Sequence, residues 1–224
     1  MPVTMMKNSN YLSVFSLVIA GILFVIYPSL RPYSDEITME GAIAFASTEW
    51  LISHILAIIA FTLLPLGLLG VHHSLQGKMA HKLSYWAFIL SLVALGLILP
   101  FYGGETFGLH AIGQKAIEQQ SIGLLSQADI VRSGVGLVMF LTGLLLLAIA
   151  AIIVAIAIWK SSNYSKWIGI PFAIGMILYS GQFLVGPQLR IAHGLLVTIS
   201  CILIAISLWK NRNQSPEQLE SYTF

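Results

Sequence analysis

The sequence predicts an all-α, polytopic membrane protein: a bundle of six transmembrane helices with both termini in the cytoplasm. The first observation is composition, because 57% of the 224 residues are hydrophobic and only 9% are charged, whereas soluble domains carry about 25% charged residues. A soluble fold of this length leaves much of its chain facing water and could not bury so much apolar surface. The second observation is that the charges leave six uncharged stretches of about the 20 residues that a membrane-spanning helix needs.

The six uncharged stretches define the elements. They lie between Lys7 and Arg31, Glu49 and Lys78, Lys82 and Glu105, Arg132 and Lys160, Lys166 and Arg190, and Arg190 and Lys210. Lipid offers no partner to an open backbone, so each must be helical, and their continuous apolar character is unlike the alternation of barrel strands. The predicted helices cover about residues 10–30, 48–74, 83–103, 131–159, 167–187 and 190–209. We assign residues 1–210 to a single six-helix transmembrane domain and residues 211–224 to a flexible cytoplasmic tail.

The first three helices each carry a local signal. The first follows Lys7 and ends at Pro28 without a small-residue cleavage site, which favours a retained helix over a signal peptide. The second contains Pro65, which should kink it. The third ends at Pro100 and the glycine pair that follows, in the stretch PFYGGETFGLH.

The last three helices are joined by short connections, whereas the segment that precedes them is long. Arg132 opens the fourth helix, the fifth ends at Pro187 and the sixth begins at Arg190. Residues 103–130 contain LHAIGQKAIEQQSIGLLSQAD, in which apolar residues recur at helical spacing. This pattern predicts a short amphipathic helix that lies on the membrane or caps the bundle.

The basic residues decide the orientation. With a cytoplasmic N-terminus, Lys7, Lys78, Lys82, Lys160, Lys166, Lys210 and Arg212 lie inside, and Arg31, Lys115, Arg132 and Arg190 lie outside. This distribution follows the positive-inside rule. We therefore expect a multi-pass protein of the cell membrane, with membrane lipids as its partners.

Cysteine and charge content exclude several kinds of site. The single cysteine, Cys201, permits no intrachain disulfide and no cysteine-based metal motif. No basic tract suits nucleic acid, and neither a Walker A nor a Rossmann glycine pattern is present in the sequence. The chemistry must therefore come from polar residues near the ends of the helices.

Ionisable residues within membrane spans are costly, and by default they indicate function. Here they collect near the outer face, where the second, fourth and sixth helices each bring a polar residue within their first turns. The predicted ligand-binding set is His54, Glu105, His110, Arg132, Gln182, Arg190 and His193. We expect these residues to bind or pass a small ligand, a lipid head group or an ion.

Two alternative interpretations of these residues stay open. One is a membrane enzyme or redox protein, because imidazoles and a carboxylate can hold a metal and His54 with His193 could ligate a haem. Against a metal site, the sequence lacks HxxxH, HExxH and HxxE, and Glu105 and His110 do not share a helical face. The other is a purely structural role, with interfacial side chains whose heads reach water.

The segment EWLISHILAIIAFTLLPLGLLGVHHSL resembles one helix of uncharacterised multi-pass bacterial membrane proteins. In these proteins a tryptophan precedes a Ser-His pair near the start of the helix, here Trp50, Ser53 and His54. The likeness covers the second helix and the general six-helix layout. It implies a membrane location and no particular activity.

Overall fold

The computed structural model describes residues 3–75 and 77–211, and within these ranges the chain is helical without β-strands. The α-helices there are α1 (Val3–Leu30), α2 (Met39–Ala46), α3 (Thr48–Ser74), α4 (Lys78–Gly103), α5 (Leu109–Gln119), α6 (Gln127–Val131), α7 (Gly134–Lys160), α8 (Gly169–Leu178) and α9 (Pro187–Asn211). A π-helical turn, Gly104–Gly108, joins α4 to α5, and 3-10 helices occupy Ile122–Ser126 and Ser180–Leu184. The predicted flexible tail lies outside the described residues, except for Asn211.

Five helical stretches of the described chain are long and apolar enough to cross a membrane. They are Tyr11–Leu30, Thr48–Ser74, Lys78–Gln119, Gly134–Lys160 and Pro187–Asn211. Because about 20 apolar residues suffice to cross the hydrocarbon core, these stretches mark a membrane-embedded protein. The all-α class that the composition predicts is confirmed for the described residues.

The third predicted helix does not end at the glycine pair. Gly103 and Gly104 keep right-handed helical backbone, with φ of −61° and −60°, and α4 continues through the π-helical turn into α5. A helix therefore forms where the amphipathic segment was predicted, but it is continuous with the helix before it. It buries Leu109, Gly113 and Ala116 on one face, and this burial favours the helical continuation.

The fifth predicted helix is interrupted. α8 ends at Leu178, and the 3-10 helix Ser180–Leu184 replaces the rest of the predicted span. Arg190 stabilises the interruption, because its guanidinium donates to the carbonyl oxygens of Phe183 at 3.2 Å and Val185 at 3.0 Å. These carbonyls would otherwise lack a partner at the point where the helix breaks.

The long helices pack in pairs that small residues bring close together. α1 lies along α3 and α9, α4 lies along α7, and α8 fits between α7 and α9. At Gly143 of α7, a Cβ would come within 2.8 Å of a side-chain atom of Ile98 in α4. At Gly194 of α9, a Cβ would overlap the carbonyl group of Phe24 in α1. Glycine at these positions therefore permits backbone approach, as is typical of membrane helix pairs.

Hydrogen bonds define the two ends of the bundle. At one, which we call the Asn163 end, Asn211 donates to the carbonyl of Asn163, and the Asn163 amide donates to the carbonyl of Ser74, both at 2.7 Å. At the other, the Glu105 end, the indole of Trp50 donates to the carbonyl of Glu105 at 2.8 Å. The guanidinium of Arg190 lies at this second end, over the ring of Tyr33. Between Asn163 and Arg190 the chain thus runs the length of the bundle, as α8 and the 3-10 helix.

A second hydrophobic cluster, which we call the cap, lies at the Glu105 end. Its buried members are Ala42, Phe45, Trp50, Leu109, Ala116, Leu125 and Ala128. Helices α2 and α5 pack closely in it, because Gly113 lets the two backbones approach. The cap joins the bundle through Trp50, which begins α3 and also belongs to the cluster.

Candidate functional site

A cavity of about 910 Å³ opens at the Glu105 end of the bundle. Its apolar lining comes from α4, α7 and the 3-10 helix: Phe101, Leu137, Phe140, Leu141, Phe183 and Leu184. Its polar and hydroxyl-bearing lining comes from α1, the loop after it, α3 and the helix ends around them: Tyr27, Arg31, Tyr33, Ser34, Asp35, Glu36, His54, Tyr102, Glu105, Arg132, Ser180, Gln182 and Arg190. The cavity is therefore amphiphilic, and its volume suits a small organic molecule.

Two arginines and two glutamates form an ionic network on the polar side of the cavity. Arg132 donates to both carboxylate oxygens of Glu105, at 2.5 Å and 3.0 Å, and its third nitrogen donates to Glu36. Arg31 donates to the other oxygen of Glu36 at 2.8 Å. The network joins the loop after α1 to the end of α4 and the start of α7, and the two positive charges are balanced by the two negative ones.

The network shifts the protonation equilibria of its members outside the spans. Burial alone would raise the pKa of Glu36, but the hydrogen bonds and charges of Arg132 and Arg31 outweigh burial and lower that pKa below its ordinary value of 4.5. Burial would likewise lower the pKa of Arg132, yet its bonds to Glu105 and Glu36 raise it. Both shifts favour the charged forms, so Glu36 and Arg132 stay ionised at neutral pH.

His54 lines the cavity with its imidazole oriented by the backbone of α3. Its Nδ1 lies 2.8 Å from the carbonyl oxygen of Trp50, which can only accept, so Nδ1 carries the proton. Its Nε2 lies 3.7 Å from a carboxylate oxygen of Glu105, beyond hydrogen-bond distance. The neighbouring Ser53 hydroxyl donates to the same carbonyl of Trp50 at 3.0 Å, so its proton is not directed at the imidazole. A Ser-His nucleophile is therefore not assembled in this geometry.

Three buried tyrosines form a hydrogen-bonded chain beside the cavity. The hydroxyl of Tyr179 lies 2.9 Å from that of Tyr102 and 2.8 Å from that of Tyr27, and Tyr27 donates to Gln182 Oε1 at 3.2 Å. Each hydroxyl has one proton and the amide oxygen only accepts. The protons must therefore point one way, from Tyr102 through Tyr179 and Tyr27 to Gln182. This hydrogen-bonded chain ends at the side-chain amide of Gln182, whose Nε2 remains available as a donor.

Several polar groups of the cavity keep hydrogen-bonding atoms without a partner in the described chain, among them the buried Oγ of Ser34. Gln182 is 4% exposed, and its Nε2 has no hydrogen-bond partner among the described residues. Arg190 donates from Nε and Nη2 to backbone carbonyls, and no carboxylate of the described chain forms an ion pair with it. Buried donors are nearly always paired in folded proteins, so the Nε2 of Gln182 points to an acceptor supplied from outside the chain. Arg190 is half-buried and adds a charged donor to the same lining.

The structure brings five of the seven predicted site residues to one cavity and places the other two elsewhere. The five that line it are His54, Glu105, Arg132, Gln182 and Arg190. His110 lies in the cap, where its Nδ1 donates to the carbonyl of Phe45 at 2.9 Å. His193 faces α8, where its Nε2 donates to the carbonyl of Gly175 at 2.7 Å. The prediction that the last two bind the same ligand therefore has no geometric support.

The metal and haem interpretations depend on ring nitrogens that the fold uses elsewhere. Over the described residues, no group of three or more histidine, cysteine, aspartate or glutamate side chains is placed to hold a metal ion. A haem between His54 and His193 would need the Nε2 of His193, which is hydrogen-bonded to a backbone carbonyl. The carboxylate of Glu105 is similarly occupied by Arg132.

Sequence reasoning missed the tyrosine chain and the role of Glu36. Tyr27, Tyr102 and Tyr179 lie at the same end of three predicted helices as Gln182, and this shared depth was the signal that could have identified them. Glu36 lies in a predicted loop, where a carboxylate is expected to be solvated. Its position between two arginines depends on tertiary contacts that a sequence pattern does not contain.

The chain matches no protein-family model, and it has no significant similarity to curated proteins or to solved structures. The resemblance of the Trp50–His54 segment to uncharacterised bacterial membrane proteins therefore stays a prediction. By its helices, this chain is a membrane-embedded protein.

Proposed function

We propose that this protein binds a small amphiphilic ligand in the cavity at its Glu105 end, and that the ligand enters from the surrounding membrane. The observation that carries the proposal is the pairing of an apolar lining with buried polar donors that lack acceptors. An ion or a fully polar solute would leave the apolar side chains facing it without partners. An amphiphile satisfies both parts of the cavity at once.

Lateral access is supported by the exposure of two lining leucines. Leu141 is 47% exposed and Leu184 is 90% exposed, and both line the cavity. Leu141 lies two turns beyond the start of α7 at Gly134, which is about 10 Å along the helix axis. The cavity therefore reaches the outer surface of the bundle within a membrane-spanning stretch, where lipid is the neighbour.

The interrupted helix at residues 178–184 supports the same function. Irregular backbone at membrane depth is tolerated where it lines a cavity or is buried in protein. Here the 3-10 helix supplies Gln182 and two apolar residues to the cavity lining. Broken helices that line a binding site recur among membrane proteins that hold small ligands.

We also propose six membrane crossings with both termini in the cytoplasm of a cell-membrane protein. The support for a sixth crossing is that residues 163–190 run between opposite ends of the bundle. Helix α8 with its 3-10 continuation covers roughly 25 Å at the usual rise per residue, close to the thickness of the hydrocarbon core, about 30 Å. The support for the orientation is the excess of basic residues at the Asn163 end.

The test fills the cavity with a side chain. Gly181 lines the cavity, and a Cβ at this position meets no atom within 4 Å, so Gly181→Phe adds a bulky group in open space. Gly96 has equally open surroundings and does not line the cavity, which makes Gly96→Phe the matched control. We expect native mass spectrometry of the purified chain to detect bound lipid in the wild type and in Gly96→Phe, but little in Gly181→Phe. Equal lipid retention by all three proteins would contradict the proposal.

A further inference from the structure

We infer that the ligand of this cavity is an anionic amphiphile, whose phosphate or carboxylate group is bound between Arg190 and Gln182. This inference rests on the proposed function and specifies the chemistry of the head group. It follows from three properties of the polar lining: its charge balance, the donors that remain free, and their position relative to the apolar lining.

The charge balance leaves Arg190 uncompensated. Arg31 and Arg132 pair with Glu36 and Glu105, so these four charges cancel within the network. Asp35 is the remaining carboxylate of the lining, and it is exposed at the rim, where its side chain accepts from the backbone amide of Ile37. A ligand in the cavity therefore meets one cation without a buried counter-charge, which favours an anion.

Arg190 is fixed in place with a donor to spare. Its Nε and Nη2 donate to the carbonyls of Val185 and Phe183, which hold the guanidinium plane against the interrupted helix. Its Nη1 has no acceptor in the described part of the chain. A guanidinium that is already ordered loses little further freedom when it binds a planar or tetrahedral anion.

Gln182 supplies a second donor in the lining of the same cavity. It adjoins Phe183, whose carbonyl Arg190 binds, and its Oε1 is held by Tyr27. Because Oε1 accepts from Tyr27, the orientation of the amide is fixed and Nε2 faces away from that bond. This nitrogen is a donor, and it is buried without a partner in the described chain. An acceptor oxygen between the two residues would satisfy both donors, whereas a cation would face only donors.

The apolar lining then receives the rest of the ligand. Leu137, Phe140 and Leu141 lie along α7 on the side where the cavity reaches the surface of the bundle. A head group at Arg190 would leave its hydrocarbon chain against these side chains and pointing towards lipid. The same anion-binding chemistry could also take a free phosphate ion, so the experiment must separate the two sources.

The test compares three probes on the full-length chain purified in an uncharged detergent. Dioctanoyl phosphatidic acid carries the phosphate and the chains, dioctanoylglycerol carries the same chains without the phosphate, and inorganic phosphate carries no chains. Binding is measured by isothermal titration calorimetry. We expect phosphatidic acid to bind at least tenfold more tightly than dioctanoylglycerol, because a charge-assisted hydrogen bond contributes about that factor.

Variants identify the residues that make the difference. Arg190→Gln should weaken phosphatidic acid about tenfold or more and leave dioctanoylglycerol unchanged. Lys160→Gln removes the same charge from an exposed residue at the far end of α7 and should change neither. If Arg190→Gln fails to fold, Gln182→Leu tests the inference without a change of charge, and it should weaken phosphatidic acid about fivefold.

Each outcome bears on a different part of the inference. Equal affinities for the two lipids, unaltered by the Arg190 and Gln182 variants, would overturn the anionic head group while leaving the proposed amphiphile binding intact. Inorganic phosphate that binds as tightly as phosphatidic acid and is lost in Arg190→Gln would support the anion site but show a free ion as its source. Absence of binding by all three probes, with no effect of Gly181→Phe on retained lipid, would overturn the proposed function itself.

Discussion

Replacement of Glu105 by glutamine tests whether the ionic network stabilises the Glu105 end. The Glu105 side chain is 10% exposed and receives two hydrogen bonds from Arg132, at 2.5 Å and 3.0 Å. Glutamine keeps the shape but removes the negative charge, and it turns an amide donor towards the guanidinium donors. Arg132 then retains Glu36 as its one carboxylate partner, and Glu36 must balance two arginines.

The magnitude follows from the degree of burial. Removal of one partner from a fully buried ion pair costs about 3–5 kcal/mol, whereas an exposed pair contributes at most about 1 kcal/mol. The Arg132 side chain is 27% exposed and keeps a second partner, so we expect a loss between these limits, about 2 kcal/mol. Arg132→Gln should cost a similar amount. The double variant should cost about 1 kcal/mol less than the sum, because neither partner is then left unpaired.

The assay is unfolding in mixed micelles by increasing mole fraction of dodecyl sulfate, followed by tryptophan fluorescence. Trp50 is a local reporter, because its indole donates to the backbone carbonyl of Glu105, which the substitution retains. Glu49→Gln is the matched control, since Glu49 is exposed and forms no ion pair with the described residues. A Glu105→Gln protein within about 0.5 kcal/mol of this control, or strictly additive losses in the double variant, would refute the reasoning.

Three further predictions concern pH, the tyrosine chain and helix packing. The arginine partners of Glu36 lower its folded-state pKa below 4.5 despite burial. The ionised Glu36 carboxylate therefore contributes its full stability above pH 4.5, and this contribution is lost as the pH falls through the folded-state pKa. The free energy of unfolding, measured from pH 7 to 3, should fall more steeply in the wild type than in Glu36→Gln. Tyr179→Phe should cost about 1–2 kcal/mol by removing the central hydroxyl of the chain, while Tyr85→Phe, at an exposed tyrosine, should cost almost nothing in the same unfolding assay. Gly194→Val should cost about 2 kcal/mol or more by forcing α1 from α9, whereas Gly96→Val, with open space at its Cβ, should leave the unfolding transition in place.

The membrane class and most helix positions could be predicted because they depend on composition and charge spacing alone. Two boundaries could not. The glycine pair at Gly103 looked like a helix end, but glycine also accepts helical backbone, and burial of α5 against α2 decided between the two. The break after Leu178 depends on Arg190, whose guanidinium reaches back to carbonyls that its own helix does not contain. Such tertiary hydrogen bonds have no periodic signature in the sequence.

The candidate site could be predicted to the extent that it depends on how far along each helix a polar residue lies. Polar residues at one end of several helices meet if the helices pack, and His54, Arg132 and Gln182 do line one cavity. Depth does not fix the direction of a side chain around its helix, and this is why His110 and His193 do not line the cavity that holds the other five residues. Each of these two imidazoles instead donates to a backbone carbonyl of a neighbouring helix.

The dual position of Arg190 would couple the proposed ligand binding to the fold. Two of its nitrogens stabilise the carbonyls at the interruption of α8, and the third is left for the proposed anion. An anion bound there would also fix the guanidinium, and thereby the carbonyls of Phe183 and Val185, in the geometry that the cavity requires. The interruption and the site are then mutually stabilising, because an unbroken helix would leave Gln182 and Arg190 without their shared orientation. Such a coupling would explain why a costly irregular segment lies in the cavity wall, since the segment supplies donors of the lining together with exposed apolar side chains.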